Sequence, residues 1–265
     1  MINIPLNYFL IFKLDLGISG AAIASSLAEM GSLVVLCIYT RAKIDKVKYG
    51  LKPEYDGRLL IKVLNLSVWS MLHAFISVAP WFLFFVAIEH LGKTELAISN
   101  ITRSVSAIFF VIANSFAVTT GSLVSNAIGA RARNELFPIC HKILKLGYAV
   151  GIPFVVVTLL CNRWIVSFYT DNELLIELAF VPFVVMLLNY TFALPGYVYL
   201  NAVGGTGKTK ITFLFQVTTT CVYLVYLYWL SFCIKASLSL YLTAEYLFVI
   251  LLALQSITYL KSKHY

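Results

Sequence analysis

Residues 201–210 read NAVGGTGKTK, and Gly207-Lys208-Thr209 closes like a phosphate-binding P-loop, GxxxxGK[ST]. The position that should carry the first glycine of that pattern holds Ala202. A P-loop also needs a strand before it and a helix after it, within an α/β domain. Here the stretch follows an apolar run over 174–200 and precedes another over 211–234. It reads as a turn between two membrane spans. Gly204, Gly205 and Gly207 are expected to let the chain reverse, because glycine tolerates φ > 0.

The rest of the chain agrees with that reading. Of its 265 residues 60% are apolar and 12% charged, with mean hydropathy +0.88. A soluble domain carries about 25% charged residues. So few polar groups cannot make a water-soluble surface, and the fold class is an all-α polytopic membrane protein. Cys37, Cys140, Cys161, Cys221 and Cys233 show no metal-ligand or CxxC spacing and read as small apolar residues within spans. The first residues, MINIPLNYFLIF, lack a basic n-region and are too short to span fully. They are expected to be the end of a span.

Seven full spans follow, near 18–40, 63–88, 96–127, 143–168, 174–200, 211–234 and 238–260. Basic residues gather on one side of them. They are Arg41, Lys43, Lys46, Lys48, Lys52, Arg58 and Lys62, then Arg131, Arg133, Lys142 and Lys145, then Lys208 and Lys210, and last Lys261 and Lys263. Lys13, Lys93, Arg163 and Lys235 fall on or near the other side, and Arg103 lies inside a span. The positive-inside rule then places the C-terminus in the cytoplasm of a multi-pass protein of the plasma (inner) membrane. The net charge of +8 is thus topological, with anionic lipid as its partner rather than nucleic acid.

Ionisable groups within spans need a reason, since each costs about 2.5–3.5 kcal/mol on insertion scales. In 96–127, Asn100, Arg103, Ala107, Asn114, Gly121 and Ser125 fall within about 60° of one another on a helix. Such a stripe serves interhelical packing or a polar cavity. In 174–200, Met186, Tyr190, Tyr197 and Asn201 share a face, with Asn189 beside it and a kink expected at Pro195-Gly196. That face suits a cavity for amphiphilic molecules or a packed seam. Glu29 and Glu245 stand in related contexts, Leu27-Ala28-Glu29 and Leu242-Thr243-Ala244-Glu245, each ahead of a basic segment. This is a weak internal repeat of the kind transporters carry. Both carboxylates suit proton or cation exchange, or membership of a buried pair. The candidates for substrate binding or ion coupling are therefore Asn100, Arg103, Asn114, Asn189, Tyr190, Tyr197, Glu29 and Glu245. No catalytic set or HExxH-type motif is present, so neither an enzyme nor a cofactor is expected.

Several loops resemble a known family. Ile18-Ser19-Gly20-Ala21-Ala22-Ile23-Ala24 is similar to the GxxGAAxA segment opening the sixth helix of multidrug and toxic-compound extrusion (MATE) transporters. Asn126-Ala127-Ile128-Gly129-Ala130-Arg131 with Arg133 resembles their loop after the eighth helix. LNAVGGTGKTK, from Leu200 to Lys210, resembles the loop between the tenth and eleventh, and Pro5-Leu6-Asn7-Tyr8 the end of the fifth. The resemblance implies a MATE-like helical bundle, with one six-helix lobe plus the last one to two helices of the other. The division is then 1–40 as the end of the N-lobe, 41–62 as a basic inter-lobe linker, and 63–265 as the C-lobe. It further implies alternating access and efflux of small organic, often cationic, substrates coupled to Na⁺ or H⁺ entry. A missing N-lobe is expected to be needed for function.

The pattern also departs from the family. Carboxylates common in the seventh and tenth helices fall near Ser77 and Ala193, neither acidic. Gly204 stands for the usual arginine of the loop and Lys208 for the usual aspartate. Alternatives remain a lipid-linked oligosaccharide flippase, for which Arg103 is the sole membrane-embedded basic group, and a non-transporting membrane fragment. A nucleotide-driven pump lacks its soluble domain.

Overall fold

A computed structural model describes residues 3–44, 55–234 and 236–262. Lys46, Lys48 and Lys52 of the basic segment, with Lys235 and Lys263, lie outside the described residues. The chain forms two compact units, residues 1–58 and 59–265. Among the described residues all regular structure is helical, and seven helices are long and apolar enough to cross a membrane.

In the first unit, α1 (Asn3–Tyr8) runs into a π-helical turn over Phe9–Lys13 and is followed by α2 (Gly17–Lys43). The two pack closely because α2 presents Gly20 and Ala24 to the turn. A Cβ on Gly20 would stand 2.8 Å from the Leu10 carbonyl oxygen, too close for any other residue. Asp15 and Gly17 take positive φ (52° and 50°), which reverses the chain between the helices.

The second unit begins with α3 (Gly57–Ile88), extended by a 3₁₀ turn to Leu91. Then come α4 (Lys93–Gly129), α5 (Leu136–Leu160), the short α6 (Asn162–Ser167) and α7 (Glu173–Leu188). They are followed by α8 (Tyr190–Gly205), α9 (Thr209–Trp229) and α10 (Leu238–Ser262). The helices outrun the apolar spans because Lys and Arg at their ends can carry charge to the membrane surface on long apolar stems. Lys142 and Lys145 sit inside α5 for this reason. The span expected over 143–168 is accordingly corrected: the helix occupies 136–160, and 162–167 forms the separate short helix α6.

The helix α8 lies at the centre, packed on α4, α5, α9 and α10. Small residues on both sides allow this. A Cβ on Gly205 would meet the Gly121 carbonyl oxygen of α4 at 2.5 Å, and one on Gly196 the Val249 carbonyl oxygen of α10 at 2.7 Å. Gly151 of α5 leaves room for the Tyr190 ring, whose hydroxyl donates to the Gly147 carbonyl at 2.8 Å. Without a hydrophobic drive between helices in lipid, such close approach and interhelical hydrogen bonds hold the bundle together.

The span over 174–200 is broken, but between α7 and α8 at Asn189 rather than at Pro195-Gly196. Proline removes the N–H that its i−4 carbonyl would accept, so the distortion belongs upstream of the ring. That carbonyl, Thr191, accepts the Tyr148 hydroxyl at 2.7 Å instead. At the break the Asn189 amide turns to Leu187, and the Val185 carbonyl accepts the hydroxyl of Tyr246. The turn after α8 also differs in detail from expectation. Gly204 and Gly205 are helical, and only Gly207 takes a positive φ, +80°.

Candidate functional site

The long polar stripe of α4 serves two purposes along its length. At its N-terminal half, Asn100, Arg103 and Ala107 line a cavity of about 530 Å³. At its C-terminal half, Gly121 and Ser125 pack on α8, where the Ser125 hydroxyl donates to the Gly205 carbonyl at 2.9 Å. That half also borders a second hollow of about 400 Å³, shared with His73 and Asn201. Asn114 lies between the two, exposed on α4 and part of neither.

The larger cavity is walled by α3, α4, α8 and α10, with Met186 of α7 and Asn189 completing it. Arg103 projects from α4 and forms an ion pair with Glu245 of α10. The Tyr223 hydroxyl of α9 donates to the same carboxylate oxygen at 3.2 Å. Three helices are thereby joined at one oxygen atom. The guanidinium carbon lies 4.1 Å from the centroid of the Phe84 ring, 5.4 Å from that of Phe85 and 5.9 Å from that of Trp81. These are cation–π distances. The Arg103 side chain is only 4% exposed and that of Glu245 17%. Each charge in this low-dielectric place is tolerated because the other is beside it.

The broken span supplies the remaining wall. Asn189, Tyr190, Ala193 and Tyr197 all border the cavity. The Phe110 ring meets Tyr197 edge-on with centroids 5.5 Å apart, and Phe109 meets Tyr190 likewise at 6.1 Å. The Asn189 side-chain oxygen is buried and has no partner. Such an arrangement offers aromatic faces, one free amide and a neutralised ion pair to a molecule of drug size.

Of the eight candidates for binding or coupling, the structure brings six to this cavity: Asn100, Arg103, Asn189, Tyr190, Tyr197 and Glu245. Glu29 belongs to the first unit, exposed on α2. Ser77 and Ala193, where the family's carboxylates were expected, both face the cavity without charge. Trp81, Phe84, Phe85 and Tyr223 escaped the sequence reading. The run Trp81-Phe82-Leu83-Phe84-Phe85 puts three aromatics at helical spacing on one face, a signal that could have suggested a seat for Arg103. Tyr223 carries no such signal.

An all-α bundle with this lining defines a multi-pass membrane protein with an internal charged and aromatic cavity. Residues 70–230 match the MatE family model, and the chain belongs to that family. It is 25% identical over 187 residues to Protein DETOXIFICATION 48 of Arabidopsis thaliana, covering 66% of this chain and 34% of that protein. Identity is 23% over 188 residues with Multidrug resistance protein NorM of Vibrio vulnificus (strain YJ016), covering 68% and 41%. A solved outward-facing conformation of a multidrug resistance MATE family transporter of the MOP superfamily matches with a TM-score of 0.85. Identity there is 18% over 98% of this chain and 59% of that one, a likeness of fold alone. The matched part of the chain thus covers 34% and 41% of the length of these curated relatives.

Proposed function

We propose that the chain forms part of a secondary active transporter that exports small organic compounds across the plasma (inner) membrane by alternating access, driven by Na⁺ or H⁺ entry. The observation that carries this reading is the 530 Å³ cavity with an ion pair inside a membrane bundle of MatE type. Its volume falls in the range of small-molecule sites, about 300–1,000 Å³. The names of the relatives, a multidrug resistance protein and a detoxification protein, support the substrate class at this coarse level. Ser77 and Ala193 lack the carboxylates for a cation, so coupling falls to Glu245, to Glu29 or to residues of a second lobe. The grouping of Arg131, Arg133, Lys208 and Lys210 at one end of the bundle supports a cytoplasmic C-terminus.

Nothing in the cavity favours the flippase alternative. A lipid diphosphate needs several unpaired cations, and the one guanidinium here is matched by Glu245. The test is expression in a pump-deficient host. Resistance to aromatic toxicants that disappears with a protonophore, or on Na⁺ removal, supports the reading. Resistance that survives both treatments but falls on ATP depletion overturns it.

A further inference from the structure

We propose that this cavity selects uncharged aromatic compounds over organic cations, because Arg103 already occupies the place a cation would take. The inference rests on the reading of the cavity as the substrate site. A cation inside a membrane protein is held by a carboxylate and by the faces of aromatic rings. Both are present here, and Arg103 engages both. Its guanidinium pairs with Glu245 and lies over Phe84 at 4.1 Å and Phe85 at 5.4 Å.

Arg103 and Glu245 are the charged members of the cavity lining, so its formal charge is zero. A cationic ligand would meet a carboxylate already neutralised and a guanidinium that repels it. Displacing Arg103 would strand a charge that is 4% exposed, and an unpaired buried charge is strongly unfavourable. Apart from the buried Arg103 Nε–H, a donor that no cation can use, the free recognition elements are neutral. The Asn189 side-chain oxygen lacks a partner and can accept from a hydroxyl or amide of a ligand. Phe110 and Tyr197 offer ring surface to an uncharged aromatic body.

The test uses two probes of matched shape, methyltriphenylphosphonium and triphenylmethanol, with equilibrium binding to the purified protein in lipid nanodiscs. Wild type should bind triphenylmethanol at least tenfold more tightly than the phosphonium. Arg103→Gln frees the carboxylate and should raise the ratio of phosphonium to triphenylmethanol affinity at least tenfold. Arg103→Gln/Glu245→Gln, neutral again, should return phosphonium affinity to the wild-type level. Should Arg103→Gln not fold, Glu245→Gln gives the complementary reading. It leaves the guanidinium unpaired and should lower phosphonium affinity at least tenfold. Phosphonium binding equally tight in wild type, Arg103→Gln and Glu245→Gln overturns the inference and leaves the cavity as substrate site. Absence of binding by either probe to any variant overturns both.

Discussion

The guanidinium of Arg103 on α4 and the carboxylate of Glu245 on α10 meet inside the membrane bundle, with the Tyr223 hydroxyl on the same oxygen at 3.2 Å. Removing one partner of such a pair costs about 3–5 kcal/mol, because the other charge is left uncompensated. Glu245→Gln should therefore lower the thermal midpoint sharply, and Arg103→Gln/Glu245→Gln should recover most of the loss. Midpoints from fluorescence-detected size exclusion measure this. A double variant no more stable than either single one would show that the charges do not depend on each other.

Gly205 and Gly204 are neighbours with opposite surroundings. A Cβ at 205 would lie 2.5 Å from the Gly121 carbonyl oxygen, while one at 204 finds only the Thr212 methyl at 3.7 Å. Gly205→Val should destabilise the bundle by about 1–3 kcal/mol through overpacking. Gly204→Val should cost less than half as much in the same unfolding assay.

Gly207 carries the turn between α8 and α9 at φ +80°. An L-residue held there with a branched side chain costs about 1–2 kcal/mol. Gly207→Val is expected to lower stability by that amount and Gly207→Asn by clearly less, since asparagine tolerates positive φ. Equal effects would mean that the turn relaxes in both variants.

Tyr148 supplies the donor that Pro195 withholds from the Thr191 carbonyl. Interhelical hydrogen bonds within membranes average about 0.6 kcal/mol. Tyr148→Phe should destabilise by roughly that amount, and by up to about 1–3 kcal/mol if the carbonyl stays dry. Combining it with Pro195→Ala should restore stability, because alanine returns the missing N–H. Thermal midpoints of the single and double variants decide.

Lys208 caps α9 and Lys210 lies in its first turn, with no strand or nucleotide cradle before them, and the Lys210 ammonium lies 5.2 Å from the centroid of the Trp69 ring. Lys208→Ala should leave energised transport within twofold of wild type and leave the protein indifferent to ATP. Loss of transport on that change, with nucleotide binding in the parent, would restore the P-loop reading.

The membrane spans were legible because apolar length is a local property, visible wherever about 20 residues run without charge. The turn after α8 was legible for the same reason, though only Gly207 proved to need its special backbone. Gly205 instead serves contact with Gly121, which depends on a partner 84 positions away in the chain and leaves no local trace. The pairing of Arg103 with Glu245 was half legible. A buried arginine announces that it needs an anion, but the sequence offers Glu29 and Glu245 in similar contexts and cannot choose between them. The aromatic seat from α3 and the hydroxyl of Tyr223 are products of packing alone. The break falls at Asn189, six residues before Pro195, where the Asn189 N–H turns to Leu187 and the Val185 carbonyl accepts the Tyr246 hydroxyl of α10, a partner far along the chain that leaves no local trace.

That break has a mechanical meaning. The span made by α7 and α8 is a jointed rod, and its joint, Asn189-Tyr190, is also a wall of the cavity. Tyrosine hydroxyls from α5 and α10 clamp the loose carbonyls on either side of the joint. A molecule lodged against Asn189 therefore touches this span where its own helical hydrogen bonding is interrupted and taken over by neighbours, so that whatever fills the cavity also bears on the joint.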